Sequence, residues 1–396
     1  MENYMEMKKI TEPKERLLLG PGPSNVNPRV IRAMTMPLMG YLDPTFLSVM
    51  DEVVSMLKQA FDTNNEFTIA LSGTGTSGME ASLINILEPD DTVIVAINGL
   101  FGQRIADIAN RCRANVITVE AEWGAPVDIT KVEDAFDTVG KVKLLAAVHV
   151  ETSTGVVQPM APFAELAHSR GSLFLADAVT SLGGVDLHVD DWGIDICYSA
   201  TQKCVGSPPG MSPITLSPKA VEALKSRKNP VQSFYLDLQL LEKYWLTDHV
   251  YHHTVSMPMI YGLREALVML MEEGLENRFA RHIRNANALK AGILELGMGV
   301  LAEKEFQASP LTAALIPDGL DEAKVRRSLL NEYGIEIGGG FGPLAGKIWR
   351  IGLMGESSKG SHVLTLLQAL ETLLIREGHK FAIGASLSAA QEVLSQ

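Results

Sequence analysis

Two side chains of opposite charge stand at the ends of short apolar runs. Leu173-Phe174-Leu175-Ala176 stops at Asp177, and a second run around Ile194–Tyr198 leads into Ser199-Ala200-Thr201-Gln202-Lys203. Each run is too short for a helix and is bounded by turn residues, so each is predicted to be a buried strand. In an open parallel sheet, ligands sit beyond the carboxyl ends of the strands, where both residues would stand. Lys203 comes 26 residues after Asp177, a separation that allows one crossover step to bring an acid and an amine into one cleft. A lysine amine can form a Schiff base, and a carboxylate can face a pyridine nitrogen. Those are the two ends that pyridoxal 5'-phosphate requires of its host.

The elements that must carry this pair follow from the pattern around it. Strands are predicted at Phe67–Leu71, Val93–Ile97, Val116–Val119 and Leu144–Val150, alternating with helix patterns. That alternation argues for βαβ units and a mostly parallel sheet. Residues 51–61 form a helix pattern ahead of it. Glu265 to Leu296 reads as helix broken near Gly274. After it come Leu311–Ile316, a helix over 321–333, Ile335–Ile337, Lys347–Ile351 and a helix over 362–376, a compact α+β texture. The expected organisation is an arm (1–16), a large α/β domain (17–275) and a smaller C-terminal α+β domain (276–396).

The strand at Phe67–Leu71 runs into Ser72-Gly73-Thr74-Gly75-Thr76-Ser77-Gly78 and then a helix. Such a loop suits a phosphate, which the amides and dipole of a helix N-terminus attract. Gly73, Gly75 and Gly78 also spell the dinucleotide fingerprint, so a nicotinamide-dependent dehydrogenase is the rival from a different class. That fingerprint wants an acid about 20 residues on. Here the next strand ends Ile97-Asn98-Gly99, an amide, and a dehydrogenase leaves Asp177 and Lys203 without a task.

Composition narrows the field. The 396 residues carry 34 basic and 47 acidic side chains, with no basic block to attract nucleic acid or an anionic membrane. No apolar run is long enough to span a bilayer. Three cysteines without metal spacing, and a polar start without a signal-peptide core, point to a reducing, cytoplasmic setting. His252 and His253 are adjacent, so their rings are expected to diverge, and no third ligand offers a zinc site.

Several segments in order, Leu18–Ser24, Ser72–Gly78, Asn98–Arg104, His149–Gly155, Asp177–Val179, Gln202-Lys203, Tyr251-His252-His253-Thr254 and Trp349–Gly352, carry a resemblance over nearly the whole chain. The sequence resembles the class V aminotransferases, specifically the alanine–glyoxylate / serine–pyruvate group. The resemblance implies the PLP-transferase fold of type I and pyridoxal 5'-phosphate as cofactor. It implies that Lys203 bears the Schiff base and moves the substrate proton, and that Asp177 keeps the pyridine nitrogen protonated. Phe101 would stack on the ring, and Thr152 would donate near its phenolate. Thr74, Gly75, Thr76 and Gln202 would hold the phosphate, although many relatives have histidine at the position of Thr76. Tyr251 and Thr254 would reach the phosphate of a neighbouring subunit, making a homodimer with shared sites. Arg350 would bind the substrate carboxylate, for which a guanidinium fork is the matching shape.

For the substrate, the resemblance implies transfer from a small amino acid to glyoxylate or pyruvate. Tyr41 and Tyr251 occupy places where the ureidoglycine–glyoxylate branch carries glutamine and asparagine. Without those amides a ureido group would go unpaired, so alanine or serine is the expected donor. Ureidoglycine–glyoxylate and pyridoxamine–pyruvate transfer remain the alternatives within the family. A cysteine desulfurase of the same fold would want a cysteine loop in the last third, yet all three cysteines precede residue 205.

Overall fold

The computed structural model describes residues 13–396; most of the expected N-terminal arm lies outside the described residues. Helix α1 (Pro44–Phe61) begins seven residues before the expected Asp51. Asp43 caps it by accepting from Thr45 N–H at 2.8 Å, and Pro44 occupies the first turn, where no donor is missed. The central sheet is built from β1 (Phe67–Ser72), β2 (Thr92–Ile97), β3 (Asn115–Glu120), β4 (Leu144–Val148), β5 (Leu173–Asp177), β6 (Ile196–Tyr198) and β7 (Met211–Leu216). Their order is β1-β7-β6-β5-β4-β2-β3. All pairings are parallel except those of β7, which runs antiparallel to both neighbours. The α/β, mostly parallel class expected from the sequence is therefore present, as a mixed sheet.

Strand β7 was not expected. Pro213 lies in the middle of it, and proline normally demotes an interior strand. The backbone tolerates it because the register still lets Ser199 N–H donate to Pro213 O at 2.8 Å. The expected strand to Val150 instead breaks after Val148, and Val150–Glu151 forms a separate two-stranded ribbon with Val156–Val157.

Helices α2 (Gly75–Ile84) and α3 (Leu100–Arg111) follow β1 and β2, and α4 (Met257–Glu273) closes the first core. At Gly274 the backbone takes φ 79°, and α5 (Leu275–Glu295) leaves in a new direction. A three-stranded sheet follows, β8 (Leu311–Leu315), β9 (Gly338–Gly339) and β10 (Ile348–Gly352), with β10 central. Helix α6 (Gly360–Arg376) shares an apolar cluster with it, and α7 (Ala385–Leu394), which was not expected, packs on α5 and α6. The helix expected over 321–333 ends at Ser328 and continues as a wide turn, Leu329–Tyr333.

Two large apolar clusters result, with two small ones beside them. One spans Val30 to Leu267; the other joins Leu19 to residues between Ala288 and Ala390. Leu17–Leu18, expected to open the large domain, pairs in parallel with Ile335–Glu336, so this strip packs with the second cluster. Among the described residues no helix is long and apolar enough to cross a membrane.

Candidate functional site

Asp177 is the last residue of β5 and stands opposite Tyr198, the last residue of β6. It is 2 % exposed. One carboxylate oxygen accepts from Val179 N–H at 2.8 Å and the other from Tyr198 O–H at 2.7 Å. Burial outweighs these bonds and pushes the Asp177 carboxyl up to about 6. Lys203 follows β6 in a single wide turn, Thr201–Val205, with its own backbone at φ −100°, ψ −126°. It is 7 % exposed, and burial pulls its amine down to about 8. The two charges also act on one another, Asp177 raising Lys203 and Lys203 lowering Asp177, and both stand at the carboxyl edge of the sheet, Asp177 ending β5 and Lys203 in the turn after β6.

The amine donates to Pro21 O, a residue from the start of the chain. Gly22, at φ +113°, makes this approach possible: a Cβ there would lie 2.7 Å from Lys203 Nζ. The glycine- and proline-rich start is thus the wall against which the lysine lies.

The glycine loop after β1 reaches the same cleft. A Cβ on Gly75 would lie 2.8 Å from Ala200 Cβ and 3.3 Å from Val179 Cγ2, so the first turn of α2 abuts the ends of β5 and β6. Thr74 precedes that helix without capping it, and Thr74 and Thr76 are exposed. Their hydroxyls are uncommitted beside the free amides of a helix start, which suits an anion. Gln202 is half-buried with its Oε1 unpartnered. Gly78, the third glycine of the fingerprint, packs on Ser212 and Tyr198 and serves helix–strand contact.

Beyond β2, α3 starts at Leu100, and its N-terminal amides meet a buried carboxylate. Glu151 accepts from Phe101 N–H at 3.0 Å, Gly102 N–H at 3.4 Å and Ser153 N–H at 2.9 Å. Burial raises Glu151 above the usual carboxylate range. Neither Glu151 nor Tyr198 was singled out from the sequence. Glu151 is legible there only as part of the His149–Gly155 segment, and Tyr198 only as part of an apolar run. Phe101 is half-buried against the first core, with the Arg104 guanidinium 5.1 Å from its ring centroid.

Arg350 comes from the other cluster, on β10, and is 4 % exposed. Its Nε donates to Gly339 O at 2.7 Å and its Nη1 to Thr152 O at 3.3 Å, while the Phe341 ring covers one face at 3.9 Å. Burial lowers its pKa to about 10, so it stays charged at neutral pH. The Nη1 and Nη2 edge keeps donors for a carboxylate. Thr152 is buried between the two clusters.

Tyr41, Tyr251 and Thr254 gather together. The Tyr41 and Tyr251 ring centroids are 4.7 Å apart, and Tyr251 Oη lies 3.5 Å from Thr254 Oγ1. The expectation that His252 and His253 diverge is wrong. Their Nδ1 atoms are 2.8 Å apart, with His252 Nε2 on Phe234 O and His253 Nε2 on Ser72 Oγ. The segment is neither helix nor strand, so the alternation that separates neighbours does not apply.

The residues fit pyridoxal phosphate: a buried amine of lowered pKa, a buried acid with charge to share, and a helix start with idle hydroxyls.

Comparison with known proteins agrees. The aminotransferase class-V family model matches residues 18–344. An (S)-ureidoglycine–glyoxylate transaminase of Bacillus subtilis is 40% identical, with 96% of this chain and 95% of that protein covered. An alanine–glyoxylate aminotransferase of Callithrix jacchus is 39% identical, covering 91% and 87%. The crystal structure of an alanine–glyoxylate aminotransferase from Nostoc sp. superimposes with a TM-score of 0.91 at 46% identity, over 93% of this chain and 97% of that one. The dehydrogenase alternative is thereby set aside: the glycine fingerprint belongs to a chain without the ribose-binding acid and with a buried lysine–aspartate pair. This chain belongs to the class V aminotransferases, transaminases of the type I fold that use pyridoxal 5'-phosphate.

Proposed function

We propose that the protein moves the amino group of alanine or serine to glyoxylate or pyruvate, with Lys203 and Asp177 as its catalytic pair. The observation that carries the site is the buried amine and buried acid in one cleft, each displaced toward neutral pH by desolvation. When bound, pyridoxal phosphate supplies an electron-accepting ring. Lys203, with a pKa near 8, has a neutral fraction able to attack a carbonyl and to carry the proton from the substrate α-carbon. Asp177, oriented by Tyr198 and Val179, would hold a proton on the pyridine nitrogen. Thr74, Gly75, Thr76 and Gln202 would hold the phosphate, with Phe101 and Thr152 as the residues toward the ring. Arg350 pairs with the substrate carboxylate through its Nη1–Nη2 edge, Nε being committed to Gly339 O.

The donor is argued from Tyr41 and Tyr251, whose touching rings present phenols and no amide to a ureido group. The similarity to the Bacillus subtilis enzyme keeps ureidoglycine as the second donor to test. Free pyridoxamine is disfavoured because the uncommitted Thr74 and Thr76 hydroxyls suit a phosphate. The same face exposes Leu38, Phe234, Val250 and Tyr251, which supports a second copy of the chain there, with Tyr251 and Thr254 serving its partner's phosphate. The two apolar clusters support a division near Gly274, with Leu17–Leu19 belonging to the C-terminal unit. Three buried free thiols fit a reducing cytoplasm.

Amino donors are to be assayed against glyoxylate and pyruvate, with absorbance recorded before and after borohydride. Alanine or serine should lead, and Lys203→Ala should leave no trapped cofactor–lysine adduct. A leading ureidoglycine donor refutes the substrate reading, and a persistent adduct refutes the site.

A further inference from the structure

The first turns of α5 touch both halves of the site from behind. Arg278 is 6 % exposed. Its Nη2 donates at 2.6 Å to the carbonyl of Cys204, the residue after Lys203, and its Nε donates to Gly183 O at 2.9 Å. Its Nη1 is paired with Glu273 at 2.7 Å. One turn on, Arg281 donates to Gly355 O at 3.0 Å and Ser358 O at 2.7 Å, and shares Glu273. Gly355 lies five residues after Arg350 on the same run of chain.

Directly after Arg281 comes His282, fully buried. Its Nδ1 faces Arg278 O at 2.8 Å, and a carbonyl can only accept, so Nδ1 carries the proton. Its Nε2 therefore accepts from Gly355 N–H at 3.1 Å. The ring is held neutral, and burial beside two guanidiniums takes its pKa down to about 3. Gly355, at φ +52°, brings its backbone onto the Lys203 segment. A Cβ there would lie 3.2 Å from both Lys203 O and Cys204 O.

We propose that Arg278, with Arg281 and His282, is a positioning clamp that fixes the Cys204–Val205 peptide, the next after Lys203, against the loop following Arg350. This rests on the reading of Lys203 and Arg350 above. Arg278 touches no reacting atom. It acts by holding the carbonyl beside Lys203, so that the amine keeps its aim while the carboxylate site keeps its place. A charge-assisted bond to a buried carbonyl resists displacement better than packing alone. Packing is also incomplete here: a cavity of about 370 Å³, lined by Val205, Gly206, Arg278 and Gly355, lies beside the clamp. Without the guanidinium, the lysine turn has room to relax into it.

The cavity also gives the test. In cofactor-loaded Arg278→Ala, the lost guanidinium widens an existing space that a free methylguanidinium ion can enter. The expected result is a fall in kcat of about 10-fold to 100-fold, the size of a lost charge-assisted bond. KM for alanine and glyoxylate should stay within about twofold, and the visible circular dichroism of the bound cofactor should weaken. Methylguanidinium at tens of millimolar should restore kcat and dichroism, where equal sodium chloride does not. An unchanged kcat, a KM that rises in step with the fall in kcat, or a loss without rescue overturns the clamp. Should the alanine variant fail to fold, Arg278→Lys, with one donor group in place of three, must show the same split in smaller measure; parallel changes or none overturn it equally. Lys203→Ala and Arg350→Ala assayed alongside separate the two ideas, since a trapped adduct in Lys203→Ala or an unchanged KM in Arg350→Ala defeats the underlying site instead.

Discussion

Replacing Asp177 by asparagine should stabilise the cofactor-free protein while abolishing amino transfer, and the gain should depend on pH in one direction. The Asp177 carboxyl goes from 3.8 to about 6 on folding, with burial as the main cause. A group raised on folding contributes stability that is fully present below its unfolded pKa and is lost as pH rises through its folded pKa. Linkage puts the cost of burying this acid at about 1.6 kcal/mol at pH 5 and about 3 kcal/mol at pH 7.5. Asparagine does not titrate, so the variant should gain about 1.4 kcal/mol on the parent between those pH values. Lys203, lowered to about 8, is mostly charged over this interval, and its charge acts on Asp177 less than burial does, so it changes the difference little. Urea unfolding of both cofactor-free proteins at a fixed protomer concentration, from pH 5 to 7.5, measures it. A difference that is flat, or that shrinks as pH rises, would refute the claim that desolvation governs Asp177.

Three further outcomes test the site. Tyr198→Phe removes the phenol that bonds Asp177, a charged-acceptor bond worth about 1.5–3 kcal/mol, and should carry the acid about 1–2 pH units higher in the same experiment; an unmoved pH window counts against it. Gly22→Ala puts a methyl group where Lys203 Nζ lies and a side chain at φ +113°, so borohydride trapping of the cofactor should slow by more than about tenfold. A parent-like trapping rate contradicts the wall described for Pro21-Gly22. Arg350→Lys keeps the charge but loses the fork. The apparent KM of alanine and glyoxylate should rise about 10-fold to 100-fold with the cofactor spectrum unchanged, and an unaltered KM removes the assigned role.

The chemistry-bearing residues and the alternating pattern were legible in the sequence because their signals are short. Asp177 and Lys203 each close an apolar run that can be read within a few residues, and the glycine loop announces a helix start. The same windows misled wherever a partner from elsewhere decides the local outcome. Strand β7 was hidden by Pro213, which its neighbours accommodate. The His252–His253 rings were taken to diverge, whereas Phe234 and Ser72 draw them together.

Only the tertiary structure decided what surrounds the pair. Pro21 O meets the Lys203 amine across 182 residues, and Arg350 meets Thr152 across 198. Arg278 reaches Cys204 O only because α5 turns away from α4 at Gly274. Residue types and spacing determine which groups can donate, accept or titrate. How far burial displaces Asp177 and Lys203 depends on which distant segments exclude water from them, and that is a property of packing alone.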